Sequence, residues 1–121
     1  MMNNPKDIFY ESIELQLKAK EIGLDWLEVD GVISKMFEET REVQEAIDSQ
    51  NKEDIIEELG DLLFTYISLV RHLNLSIDEV MIQAKDKFEK RYLSIRDMME
   101  KSGKSSVSPN EMQDMWDKIK K

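Results

Sequence analysis

A chain of 121 residues is about one domain long, and its 17 Lys plus Arg against 26 Asp plus Glu give a formal net charge of −9 at pH 7. That balance excludes a broad nucleic-acid-binding surface, which needs clustered basic residues, although a nucleotide can still be held through a metal. The lack of cysteine excludes disulfides and thiolate metal sites, and no apolar run approaches the roughly 20 residues that span a bilayer.

The amino terminus, MMNNPKDIFYESIEL, lacks the apolar stretch of a signal peptide, so a cytoplasmic setting is expected. A single domain over 1–121 is the expected organisation, and every periodic segment in it is helical. Ile8, Ser12, Leu15 and Ala19 recur at three- and four-residue steps, and Gly23 suits a left-handed helix end, which predicts a first helix from about Pro5 to Ile22. The linker LDWLEVDG follows. Val32, Met36, Val43 and Ile47 then keep helical spacing up to a turn at Asp48 to Asn51. A third helix starts near Lys52 and carries Ile55, Leu59, Leu62, Leu63, Tyr66, Ile67 and Val70, an apolar stripe wide enough for burial on more than one side. Ser76 to Glu79 has the pattern of a capping box ahead of Val80, Ala84, Phe88, Tyr92 and Ile95, predicting a longer fourth helix to about Lys101. Ser108, Pro109 and Glu111 supply an N-cap, a first-turn proline and an N3 glutamate for a short last helix. The fold class is therefore all-α: a bundle of four main helices plus a short carboxy-terminal one.

Two pairs of carboxylates stand out, Glu39 with Glu42 and Glu58 with Asp61, on consecutive helices joined by a short turn. Residues three apart share a helix face, so each helix offers two oxygen ligands in one direction, and the turn lets the pairs converge. On a helical wheel all four border the apolar stripe, which predicts that they are half-buried, a costly position without a cation. Hard divalent ions such as Mg²⁺ take oxygen ligands, and a phosphate-bearing substrate is the usual reason to collect them. Spacing alone leaves a purely structural explanation open, since glutamate is a good helix former and an acidic chain shows accidental pairs such as Glu11 with Glu14.

The segments GLDWLEVDGVISKMFEETREVQEAI, EELGDLLF, AKDKFEKRY and SPNEMQDMWDKIKK, in that order and spacing, resemble the MazG family of all-α nucleoside triphosphate pyrophosphohydrolases. The likeness is greatest to the catalytic domain in the carboxy-terminal half of two-domain bacterial MazG proteins. Thr40 stands where the family usually has Leu or Ile, and Lys85 where it usually has Asn; no role is assigned to Lys85. The resemblance implies that Glu39, Glu42, Glu58 and Asp61 bind Mg²⁺, with Mn²⁺ as a substitute, and that a nucleoside triphosphate is cleaved between its α and β phosphates. It also brings Lys87 and Arg91 of the fourth helix near the phosphates, and their four-residue spacing puts them on one face.

Glu38, rotated about 100° from Glu39, is a candidate water-orienting base alongside Glu42, with a solvated helix residue as the bland alternative. Lys35, one turn before Glu39, either pairs with that carboxylate or reaches a phosphate. Trp26 in the linker either stacks on a base or packs as a staple at the helix entry. His72, the single histidine, is expected to favour the end of the third helix, and without a second His or Glu-x-x-His motifs it argues against zinc and ferritin-like sites. The eight Met residues read as core packing. The third helix carries more apolar surface than one protomer covers, predicting a homodimer or higher homo-oligomer with no membrane or nucleic-acid partner. A non-catalytic acidic helical module that binds protein partners is the competing reading.

Overall fold

The computed structural model describes residues 5–120, with side chains from Ile8 onward; the first four residues of the stretch read for a signal peptide lie outside that range. The described residues are all-α in five helices, and among them no helix is long and apolar enough to cross a membrane. Helix α1 spans Pro5–Glu21, α2 Val29–Ser49, α3 Lys52–His72, α4 Ile77–Ser102 and α5 Pro109–Lys120. By contacts the chain divides into two compact units, 1–77 and 78–121.

In the first unit α3 is the central element and packs against both α1 and α2. Helix α1 ends as the glycine suggests. Gly23 takes φ +88°, its N–H donates to Lys20 O, and Leu24 N–H donates to Ala19 O, which satisfies carbonyls the last turn would leave bare. The end of α3 repeats this closure with Asn74 at φ 58°, where Leu75 N–H reaches Val70 O. Between α2 and α3 the reversal is made by Gln50 in the left-handed region at φ 60°, and Asn51 caps α3 by accepting from Asp54 N–H at 3.2 Å. So short a connection makes α2 and α3 a helical hairpin.

Helix α2 begins at Val29 and takes in the last three residues of the expected linker LDWLEVDG. Glycine is tolerated at its third position for a packing reason. A Cβ on Gly31 would lie 3.0 Å from Cε3 of Trp26, so the missing side chain is the space the indole occupies. The buried apolar residues of the unit are Val32, Ala46, Ile67 and Val70, each larger one contributing roughly 1.5–3 kcal/mol by leaving water. The stripe on α3 is covered on one side only: Ile67 and Val70 are buried, while Ile56, Leu59, Leu63 and Phe64 remain exposed.

In the second unit the expected N-cap serine and N3 glutamate of α5 bond reciprocally. Ser108 N–H donates to Glu111 Oε1 and Glu111 N–H donates to Ser108 Oγ, both at 3.2 Å, and Lys104 pairs with the same glutamate. Phe88 of α4 meets Trp116 of α5 with ring centroids 5.8 Å apart, and the Arg91 guanidinium lies 5.0 Å from the Trp116 ring centre. No residue of α4 or α5 is buried. The expectation of methionines as core therefore needs correction among the described residues: Met81 and Met112 are exposed, and Met36, Met98, Met99 and Met115 are half-buried.

Candidate metal centre and adjoining cavity

The α2–α3 hairpin brings carboxylates from both helices to one spot. One oxygen each from Glu39, Glu58 and Asp61 lies within 4.8 Å of the others. Glu42 joins through Glu58, whose carboxyl it approaches within hydrogen-bonding reach. The four are not equally placed: Glu39 is only 4% exposed, Glu42 and Glu58 are half-buried, and Asp61 is exposed. The last point corrects the wheel-based expectation for Asp61. An axis-by-axis wheel assigns depth from one helix alone, whereas depth at Asp61 depends on what faces α3 there.

The site is short of positive charge. Lys35 Nζ reaches Glu39 Oε1 at 3.1 Å and the exposed Glu38 at 3.5 Å, so of its two expected roles it shows the carboxylate pairing, and the Glu39 contact holds its ammonium above the usual lysine range. One lysine faces four carboxylates. Burial, the hydrogen bond from Glu42 and then the negative charges of Glu42, Asp61 and Glu39 push the Glu58 carboxyl up to about 7. The inner oxygens, Oε2 of Glu39 and Oε2 of Glu58, are buried without any hydrogen-bond partner. Orphaned buried carboxylate oxygens are costly, and a hard cation coordinated by them removes that cost. The donor set thus fits a divalent metal.

Beside the acids lies a cavity of about 630 Å³ bordered by α1, the linker and α3, with Lys35 at its edge. Trp26 lines it while packing over Gly31, so the indole combines the staple with a face toward the cavity. At its back, Asp25 accepts from both terminal nitrogens of Arg71 at 2.8 and 3.1 Å and meets His72 Nε2 at 3.1 Å. The Arg71 guanidinium, against the effect of burial and with help from His72, holds the Asp25 carboxyl well below the usual carboxylate range. His72 does sit in the last turn of α3, but its described partner is this aspartate. Gln16 completes the cluster by donating to Phe64 O and accepting from Arg71 Nε.

Lys87 and Arg91 lie in the second unit, Lys87 exposed and Arg91 half-buried beside Trp116. Lys85 pairs with its neighbour Asp86 at 3.1 Å. The Gln16–Asp25–Arg71–His72 cluster escaped the sequence reading because its members are 46 to 55 positions apart from α3 back to the linker and α1. The one signal was Asp25 itself, next to Trp26 in the resembling GLDW stretch.

The family model for the MazG nucleotide pyrophosphohydrolase domain matches residues 28–95, which covers α2, α3 and most of α4. The chain belongs to the MazG family. It is 33% identical over 108 residues to the nucleoside triphosphate pyrophosphohydrolase/pyrophosphatase MazG of Thermotoga maritima, covering 88% of this chain and 41% of that protein. To the nucleoside triphosphate pyrophosphohydrolase of Escherichia coli K12 it is 30% identical over 114 residues, 89% of this chain and 43% of that one. A phosphoribosyl-ATP pyrophosphatase of Clostridium acetobutylicum matches at 31% over 62 residues, 51% of this chain and 56% of that one. The chain thus spans about two fifths of the length of the two MazG relatives. All four acids of the candidate centre fall inside the matched MazG segment, whereas Gln16, Asp25 and Trp26 precede it.

Proposed function

We propose that this chain, acting as one catalytic domain, is a Mg²⁺-dependent nucleoside triphosphate pyrophosphohydrolase that accepts Mn²⁺ as a substitute. It cleaves the α–β phosphoanhydride of a (d)NTP to yield a (d)NMP and pyrophosphate, a nucleotide-pool role in the cytoplasm. The single observation that carries this is the meeting of Glu39, Glu58 and Asp61 oxygens within 4.8 Å, with Oε2 of Glu39 and of Glu58 unpartnered. Family membership and the printed activity of the relatives support the same reading.

Glu39, Glu42, Glu58 and Asp61 are the proposed ligands. When bound, the divalent ion supplies charge neutralisation along the triphosphate and acidifies an attacking water. The Glu58 carboxyl, raised to about 7, would have to be ionised to serve as a ligand, and Glu42 is proposed both as a ligand and as a candidate base. Glu38, exposed and one residue from the innermost ligand, is the proposed water-orienting base. Lys35, already within 3.1 Å of Glu39, turns to the phosphates as substrate enters; on the family resemblance alone, Lys87 and Arg91 are carried as further candidate phosphate-binding residues. Trp26 stacks on the base.

The second proposal is a homodimer through α2 and α3. Ile33 with Phe37 on α2 and Ile56 with Leu59 and Leu63 on α3 are exposed at helical spacings, Phe37 to 74%, and exposed apolar residues grouped on helix faces are of the kind that marks an interface. Sedimentation at micromolar concentration tests it, a monomer being the adverse result.

Turnover is tested by incubating the protein with a mixture of dNTPs and Mg²⁺ and resolving products. Equimolar monophosphate and pyrophosphate are expected. Release of orthophosphate, or Glu58→Gln and Asp61→Asn proteins that retain both Mg²⁺ binding and turnover, would overturn the reading.

A further inference from the structure

Asp25 and Trp26 belong to the linker between α1 and α2, and both border the cavity of about 630 Å³. Linker residues are ordinarily the more mobile part of a fold. Here three features hold the indole in place. The Asp25 carboxylate accepts from both terminal nitrogens of Arg71 at 2.8 and 3.1 Å and meets His72 Nε2 at 3.1 Å. The side chains of Asp25, Arg71 and His72 are only 10, 9 and 12% exposed, so this charge-assisted fork is little screened by water. The same carboxylate accepts from the N–H of Trp26, which ties the peptide carrying the indole to the clamp. Gly31 then leaves the space that the ring fills, a Cβ there lying 3.0 Å from Cε3. Trp26 stays 44% exposed, so ring surface remains available to a ligand.

Helix α3 carries both ends of the arrangement. Arg71 and His72 stand in its last turn, while Glu58 and Asp61 precede them on the same helix. At a rise of 1.5 Å per residue, about 15 Å of helix separates Asp61 from Arg71. Through Asp25, the indole is thus referenced to the same rigid element as two of the candidate metal ligands.

We propose that Asp25 is a positioning residue for the substrate: by binding Arg71 and His72 it fixes Trp26 as a preformed wall of the cavity, so that the base end of a nucleotide is received without reordering the linker. The inference rests on the reading of Trp26 as the base-stacking residue. An indole that occupies the wall position a tenth of the time lowers the apparent affinity about tenfold. Nothing changes at the phosphates, so the loss falls on KM and leaves kcat alone.

The experiment has a spectroscopic and a kinetic arm. Trp116→Phe leaves Trp26 as the sole indole, and time-resolved fluorescence anisotropy reads its motion with no ligand added. In that background Asp25→Asn, which sets an amide N–H against the donors of the Arg71 fork, should raise the amplitude of fast indole motion; unchanged motion overturns the proposal. In the protein with both tryptophans, dATP, dCTP, dGTP and dTTP are assayed in turn with Mg²⁺. Asp25→Asn should raise KM for the best of them about tenfold and keep kcat within about twofold. A fall in kcat at constant KM overturns the proposal. Should Asp25→Asn fail to fold, Arg71→Lys decides, since it keeps the charge and gives up the fork: a raised KM with freer indole motion sustains the role, and native values of both refute it.

Trp26→Ala separates this inference from the reading beneath it. An unchanged KM there ends base stacking and the positioning role together, whereas a raised KM there beside a native KM in Asp25→Asn ends the positioning role alone. If no dNTP is hydrolysed, the hydrolase reading fails, and quenching of Trp26 fluorescence by dAMP, dCMP, dGMP and dTMP decides the role. Binding weakened by Asp25→Asn sustains it; equal or absent binding refutes it.

Discussion

The two units of the chain are built from the same kind of amphipathic helix and end up differently. In residues 1–77, α3 lies between α1 and α2, with Val32, Ala46, Ile67 and Val70 inside and even a carboxylate, Glu39, out of water. Among the described residues after 77, nothing on α4 or α5 is buried, Phe88 is 61% exposed, and the contacts that join the two helices and their turn include the Phe88–Trp116 rings, Arg91 over Trp116, the Lys104–Glu111 pair and the Ser108–Glu111 bonds. Two helices offer one shared seam, and three offer a centre. The close seam between α2 and α3 takes Oε2 of Glu39 on one helix and of Glu58 on the other out of water without a partner, and for that reason the candidate metal centre lies in the first unit.

The largest expected effect probes that chemistry. Glu58→Gln and Asp61→Asn should each reduce turnover at least about a hundredfold, since metal ligation supplies several kcal/mol of charge stabilisation. At pH 8 without metal, Glu58→Gln should also unfold at a higher temperature than the parent, because it removes a carboxylate crowded by Glu42, Asp61 and Glu39; pyrophosphate release reads the first arm and scanning calorimetry the second.

Next comes packing. Ile67→Ala, at a buried site, should cost about 2–5 kcal/mol in urea unfolding, and Phe88→Ala, at an exposed one, about 1 kcal/mol or less. Equal costs would break the contrast between the units.

The pH dependence sharpens it further. The folded Glu58 carboxyl at about 7 lies above its ordinary value of 4.5, so the folded state binds more protons than the unfolded chain between those values. Its contribution to stability is fully present below about 4.5 and lost as pH rises through about 7. Metal-free protein should therefore lose thermal stability across that window. Mg²⁺ affinity should rise by up to about tenfold per pH unit there and level off above it, as expected when binding must displace one proton. Titration calorimetry in two buffers of different ionisation heat would detect that proton.

The smallest effect is local to the second unit. Ser108→Ala removes the hydroxyl that accepts from Glu111 N–H and should cost about 1 kcal/mol, read as fraying of α5 by amide exchange with α1 to α3 unaffected.

Most of the fold could be read along the chain because helix signals are local. The Gly23 stop, the Ser108 box and the three-residue spacing of Glu39 with Glu42 and of Glu58 with Asp61 each involve neighbours within one or two turns, and the structure carries them. The start of α2 was missed since it hangs on Trp26 filling the space beside Gly31, a contact that no propensity encodes. Methionines at core spacing were misread for a related reason: periodicity says which side faces inward, and whether anything is there to face depends on a second element.

By itself, then, the sequence determined five helices, their order, and which carboxylates share a face, since these follow from backbone hydrogen bonding and a 3.6-residue repeat. Tertiary structure alone decided that Glu39 sinks while Asp61 stays wet, that Lys35 sits on Glu39, and that Gln16, Asp25 and Arg71 close the floor of a cavity across 46 to 55 positions. Depth and hydrogen-bond saturation are properties of the space between elements, and that space exists only once the chain has folded.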